Sequence, residues 1–207
     1  MVKLEILPQS FYNQSTLQLA QALLGHILVK ETAEGITAGY IVETEGYLGP
    51  KDQAAHGFKN RITKRTEILF AEAGHVYTHT MHRHCLVNVV SGDVGIPESV
   101  LIRAVEPVLG IPIMQQRRGE DKKERDLTNG PGKLCQALGI TMNDYGNQFT
   151  QAPLYIAQGI TYEQISASPR IGIDNSGEAK DYLWRYYAEG NQYVSKRKFK
   201  ERTLITM

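Results

Sequence analysis

Two glutamates, Glu43 and Glu45, stand two residues apart at the end of the β-branched and aromatic run Tyr40-Ile41-Val42. A strand sends residues i and i+2 to the same face, so both carboxylates project together. Gly46 and then Gly49-Pro50 end the strand in a turn, with Tyr47 just past the second glutamate and His56 beyond the turn. A carboxylate at a strand end, beside an aromatic ring and an imidazole, suits general-base chemistry on a ring-shaped substrate. The competing reading is two solvated glutamates on an edge strand, since exposed glutamate is the commonest kind.

Two further stretches carry chemistry. Arg103 interrupts the apolar run Val100-Leu101-Ile102-Arg103-Ala104-Val105. Burying an unpaired charge is costly, so Arg103 either pairs with a structural glutamate or reaches Glu45 and helps hold an attacking water; both can hold at once. Residues 74–90 contain His75, His79, His82, His84 and Cys85, all metal-ligand types. In strands, however, His75 and His79 share a face while His82 and His84 follow a turn, and no standard ligand spacing results. A hairpin whose tip at Met81-His82-Arg83 enters DNA is the alternative, with an apolar or aromatic wedge as the usual device.

The elements that must position these groups follow from pattern. Residues 8–24 read as a helix with Ser15 as N-cap and Gly25 as its stop. Residues 26–30 and 36–45 read as a hairpin joined across Glu31–Gly35, and Val76–Thr80 and Cys85–Val90 as a second hairpin. Residues 51–67 form a polar connection carrying Lys51, Lys59, Arg61, Lys64 and Arg65, read either as solvated loop or as phosphate contacts. Residues 112–126 read as a helix with a charged, solvated end. Asn129-Gly130-Pro131-Gly132 is a tight loop before the helix Lys133–Leu138, a natural phosphate site but without Walker spacing. Residues 153–158, 169–173 and 182–188 read as strands, and Lys196–Arg202 as a basic tail.

The 207 residues allow one or two domains, and a net charge of +1 gives no global basic field, so a polyanion would be met by local patches. Cys85 and Cys135 make no disulfide framework and suit a reducing cytosol. No signal pattern and no apolar run of membrane length is present.

Glu43-Thr44-Glu45-Gly46-Tyr47-Leu48-Gly49-Pro50, with Asp52 and Ala54-Ala55-His56, resembles the signature of the alkyladenine (3-methylpurine) DNA glycosylase family. Phe11-Tyr12, Leu23-Leu24-Gly25, Leu101–Pro107, Asn129–Leu138 and Pro169–Ile173 continue the resemblance in order along nearly the whole chain. The resemblance implies a single domain over residues 1–207. It would be an α+β fold, with a curved, mostly antiparallel sheet flanked by helices and a protruding DNA-intercalating hairpin. It implies a monomeric, monofunctional enzyme acting without cofactor or metal on double-stranded DNA, in the cytoplasm at the nucleoid. The lesions would be alkylated or deaminated purines: 3-methyladenine, 7-methylguanine, hypoxanthine and ethenoadenine.

In that frame Glu45 is the general base and Arg103 orients it and the water. Tyr47, Tyr77 and His79 form stacking walls, and His56 reads the purine edge through its backbone N–H. Asn88 matches an asparagine that clashes with the amino group of guanine, and a carbonyl at Ile171 or Ile173 contacts the water. Lys51, Arg61, Lys64, Arg65 and Lys133 meet the DNA backbone. The hairpin tip departs from the family pattern: it is one residue shorter between Tyr77 and Asn88, His79 replaces a common second aromatic, and Met81 or His82 must act as the wedge. Two other classes compete. A binding module without chemistry gives no reason for a carboxylate among DNA phosphates, and a metal hydrolase would use the histidine cluster.

Overall fold

A computed structural model describes residues 4–195 and 203–206. The basic tail 196–202 lies outside the described residues. The fold is α+β. Among the described residues nine strands form one sheet, in which every pairing is antiparallel. Strands β1 (Ile27–Thr32) and β2 (Gly35–Tyr47) are the first hairpin, followed by β3 (Val76–Met81), β4 (His84–Ser91) and β5 (Glu98–Leu109). The later strands β6 (Leu154–Ala157), β7 (Gln164–Ser168), β8 (Arg185–Ala188) and β9 (Thr203–Thr206) are short. The order β3-β4-β5-β2-β8-β7-β9 makes β2 central; β1 pairs its first half and carries β6 on its other side.

Thirteen residues long, β2 is flanked along its length by β5 and near its end by β8, which pairs Glu43, Thr44 and Glu45. The edge-strand reading of the two glutamates therefore fails: both are fully buried.

Helices α1 (Gln9–Tyr12), α2 (Thr16–Ala22), α3 (Ile111–Arg118) and α4 (Pro131–Leu138) all supply one core. Tyr12, Leu19, Met114 and Leu134 pack there with Ile41, Val87, Val89, Val100, Ile102 and Val105 of the sheet. Burying such side chains stabilises the fold by about 1.5–3 kcal/mol each. The helix expected over 8–24 is interrupted at Asn13–Ser15. Ser15 is extended as an N-cap should be, but its hydroxyl bonds the Gln18 side chain rather than a backbone N–H. Gly25 does end the segment: its φ is +89°, and a Cβ there would sit 2.1 Å from the Ile160 carbonyl oxygen.

Three other boundaries move. The first hairpin turns through Ala33-Glu34, with Thr32 opposite Gly35. The strand expected over 182–188 begins only at Arg185. Residues 169–173 are not a strand but the loop that follows β7, which the sequence pattern missed. Pro169 has no N–H to give a ladder. The next two residues turn inward instead, Arg170 by its side chain to Asp52 and Ile171 by its N–H to Glu45. Nor is the end of α3 merely solvated, since Arg117 bonds Glu34, Thr32 and the Ala137 carbonyl and ties the first hairpin to α4.

Candidate active site

The site begins with an irregularity in the sheet. Pairing of β2 with β5 slips between Ile41 and Glu43 and again between Glu43 and Thr44. Bulges of this kind re-aim side chains. Thr44 then donates to the Ala20 carbonyl on the helix side, while Glu43 and Glu45 both meet Arg103 on the other. The period-2 expectation that the two carboxylates project together holds.

The two glutamates have different partners. Glu43 accepts from Arg103 Nε at 2.9 Å, Arg185 Nε at 2.6 Å, and the Ser195 N–H and hydroxyl at 2.7 and 2.8 Å. Burial pushes its carboxyl up, but Arg103 and Arg185 outweigh that and hold it below the usual carboxylate range. With those partners Glu43 is a structural anion. Glu45 accepts the Ile171 N–H on Oε1 at 2.7 Å; on Oε2 it accepts the Tyr47 hydroxyl at 2.8 Å and Arg103 Nη1 at 3.2 Å. Both readings of Arg103, the structural pair and the reach to Glu45, are met by one guanidinium.

Tyr47, Arg103 and Ile171, the three residues that hold Glu45, also line a cavity of about 260 Å³, with Glu45 directly behind that wall. The same cavity is lined by His56, Tyr77, His79 and Asn88, with Met81 and His82 from the tip of the second hairpin. Tyr77 and His79, two apart on β3, share a face and stack at 5.3 Å and 25°. His56 Nδ1 lies 2.7 Å from the Tyr77 hydroxyl, and its ring meets His79 edge-on at 4.6 Å. The apolar lining with a few convergent polar groups is what a ligand cavity requires.

The tip itself is a two-residue turn, His82-Arg83, narrower than the three residues expected, with φ of +46° and +69°. Such left-handed turns match the twist of a hairpin. Two non-glycine residues held there carry backbone strain of the sort stored at functional sites. The Asn129–Gly132 loop packs directly on this hairpin: a Cβ on Gly132 would lie 2.7 Å from His84 Cβ. Only glycine permits that approach.

The basic residues expected to meet phosphate do not line the cavity. Arg61 and Arg65 line a neighbouring cleft of about 420 Å³ that shares His56 with it. Lys51 and Lys64 are exposed, Lys59 sits 5.3 Å from the Phe58 ring centre, and Lys133 bonds the Asn129 side chain. Among the described residues no lysine lines the cavity.

The sequence reading assigned no role to Asp52, Arg170 or Arg185. Arg170 makes a two-pronged bond to Asp52 at 2.5 and 2.8 Å, donates to the Gly46 and Ala179 carbonyls, and lies 4.6 Å over the Tyr47 ring. It thereby fastens the loop carrying Ile171 against the turn carrying Tyr47. Asp52 also accepts the N–H groups of Leu48 and Ala54. Two charged residues standing inside the quoted motifs were the available signal.

Burial, with Arg65 adding to it, lowers the His56 pKa to about 4; burial, then His56 and Arg65, lower that of His79 to about 3. Both rings are neutral at pH 7. The unfolded chain takes up protons on them as pH falls through about 6.5, and the folded protein does not until about 4 and 3. Their contribution to stability is therefore complete above pH 6.5 and is lost progressively as pH falls to about 3. The melting temperature should drop across that window and drop less steeply in a His56→Gln/His79→Gln double variant. An equally steep fall in the double variant would assign the loss to other groups.

No described helix is long and apolar enough to cross a membrane. Residues 10–192 match the methylpurine-DNA glycosylase family. A presumed 3-methyladenine DNA glycosylase of Bacillus licheniformis is 61% identical over 192 residues, 93% of this chain and 97% of its own length. One from Bacillus subtilis is 60% identical over 190 residues, 92% of this chain and 96% of its own. One from Listeria monocytogenes is 45% identical over 186 residues, 89% of each. The match runs through every element that lines the cavity, from β2 to the loop after β7, and the chain belongs to the methylpurine-DNA glycosylase family.

Proposed function

We propose that this protein is a monofunctional DNA-3-methyladenine glycosylase, acting as a monomer and as one domain over residues 1–207, on DNA in the cytoplasm. It flips a damaged purine out of duplex DNA, as base-acting enzymes must, and hydrolyses its N-glycosidic bond. The observation that carries this reading is Glu45, fixed by three donors behind the wall of an aromatic cavity that a single base can enter. Its substrates are 3-methyladenine, 7-methylguanine, hypoxanthine and ethenoadenine. Two neutral imidazoles in the lining place no positive charge against a cationic alkylpurine.

In the mechanism Glu45 takes a proton from water, and the hydroxide adds to the sugar carbon as the base departs. Arg103 and the Ile171 N–H fix the carboxylate, whose charge also stabilises the oxocarbenium-like transition state. The base stacks between Tyr47 on one side and the Tyr77–His79 pair on the other. The backbone N–H of His56 reads its edge, Asn88 excludes the amino group of guanine, and Met81 or His82 fills the gap left in the duplex.

Duplexes carrying one such lesion each, incubated with the protein and then cleaved with alkali, test this reading; no lesion-dependent cleavage would end it. A borohydride arm tests the choice of water as nucleophile. A glycosylase that also nicks the strand forms a Schiff base through an amine, and none of the described residues lining the cavity is a lysine. The product should be an intact strand with an abasic site. A lesion-dependent adduct that disappears in Lys51→Ala would overturn the assignment.

Lys51, Lys59, Arg61, Lys64, Arg65 and Lys133 are proposed to meet phosphates, so binding should be salt-dependent despite a net charge of +1. Each phosphate neutralised adds a slope of roughly −0.9 in log K against log salt. A slope near zero would remove the patch.

A further inference from the structure

Arg170 lies behind the cavity, between two aromatic rings. Its guanidinium carbon is 4.6 Å over the centre of the Tyr47 ring and 5.0 Å over that of Trp184. Tyr47 lines the cavity and Arg170 does not, so the Tyr47 ring stands between the guanidinium and the space assigned to the base. The side chains of Arg170 and Asp52 are both fully buried, and salt in solution screens such charges little.

Among the described residues Asp52 is the only carboxylate paired with Arg170. Its two oxygens take Nη1 and Nη2 at 2.5 and 2.8 Å, while the Gly46 and Ala179 carbonyls accept without bringing a charge. The buried Nε has no hydrogen-bond partner among the described residues. One cation behind the ring is thus matched by one anion.

A base stacked on the open face, about 3.5 Å off the ring, would lie roughly 8 Å from the guanidinium behind it. Alkylation of a ring nitrogen leaves a purine positively charged while it is still joined to the sugar. Hypoxanthine and ethenoadenine are neutral. An uncompensated Arg170 would therefore repel the first kind of base through the Tyr47 ring and ignore the second.

We propose that Asp52 is a positioning residue that also sets specificity: by neutralising Arg170 behind the Tyr47 ring, it lets that ring stack a cationic alkylpurine. This rests on the glycosylase reading. A role in holding the loop and the turn together would affect every lesion alike; a role through charge separates lesions by their charge.

The test compares 7-methylguanine with a neutral lesion, hypoxanthine or ethenoadenine, below the pH at which 7-methylguanine sheds a ring proton. Single-turnover excision is measured at subsaturating protein, which reads the whole path from free lesion to transition state. On that path the positive charge is shared with the sugar but not lost. The ratio of cationic to neutral rates should fall about tenfold in Asp52→Asn, the scale of one buried charge acting over such a distance at an effective dielectric of about 20. It should rise in Arg170→Gln, which keeps a donor for Asp52 without the charge. In the double variant Asp52→Asn/Arg170→Gln the ratio should return to that of the wild type, even where both rates are low.

Opposite shifts in the two single variants support the inference. If Asp52→Asn does not fold, Arg170→Gln and the double variant carry the test. Rates that fall together, with an unchanged ratio in every folded variant, overturn it and leave the ion pair a structural tie. If the wild type excises neither kind of lesion, the glycosylase reading falls and takes this inference with it.

Discussion

Glu45→Gln should lower single-turnover excision by about 10²–10⁴, the range of a general base, while leaving lesion binding in place. The substitution is nearly isosteric but not silent in the hydrogen-bond network. Glu45 now offers an acceptor on each side, Oε1 to Ile171 and Oε2 to Tyr47 and Arg103. Glutamine offers one oxygen and one amino group. If the oxygen stays with Ile171, the amino group faces Arg103, donor against donor; the Tyr47 hydroxyl can rotate to accept, and the guanidinium cannot. Circular dichroism and a lesion-binding titration therefore accompany the rate, so that misfolding is separated from lost chemistry. A folded, binding-competent Glu45→Gln protein with activity within tenfold of wild type would remove Glu45 from the mechanism.

Arg103→Met should be the most destabilising change at the site. Arg103 is 6% exposed and serves two fully buried carboxylates. Removing one partner of a buried ion pair costs about 3–5 kcal/mol, because the remaining charge is left uncompensated. Glu43 retains Arg185 and Ser195, and Glu45 retains Tyr47 and Ile171, so the protein should still fold at low temperature. Arg103→Lys should not rescue it. One ammonium cannot reproduce a planar fork that gives Nε to one glutamate and Nη1 to the other. Urea unfolding and single-turnover excision check both points. A stability loss below about 1 kcal/mol, the scale of an exposed pair, would show that the two glutamates do not depend on Arg103; full activity in Arg103→Lys would show that only charge matters.

The strands, the two hairpins and the helix after the Asn129–Gly132 loop were legible because they rest on local periods and turn residues. Tyr40–Val42 needed only β-branched and aromatic alternation, and Glu43 and Glu45 needed only the two-residue period of a strand to share a face. The failures were local too. Pro169–Ile173 has the apolar look of a strand, but Arg170 is drawn to Asp52, 118 positions away in the chain, and the Ile171 N–H to Glu45, 126 away. Both attractions outweigh what a strand neighbour would have offered.

The sequence pointed to the family through a resemblance carried by motifs along nearly the whole chain, and to the carboxylate pair and the arginine in its apolar strand through residue type and short spacing. The tertiary structure decided which glutamate does what. Arg185 and Ser195 lie 142 and 152 positions from Glu43 and claim it as a structural anion, and the Ile171 N–H claims Glu45 for the cavity wall. Two carboxylates two residues apart are alike in sequence. They come to differ only through the charges and donors that folding brings to each, and at full burial those partners, rather than solvent, fix how each carboxylate is held.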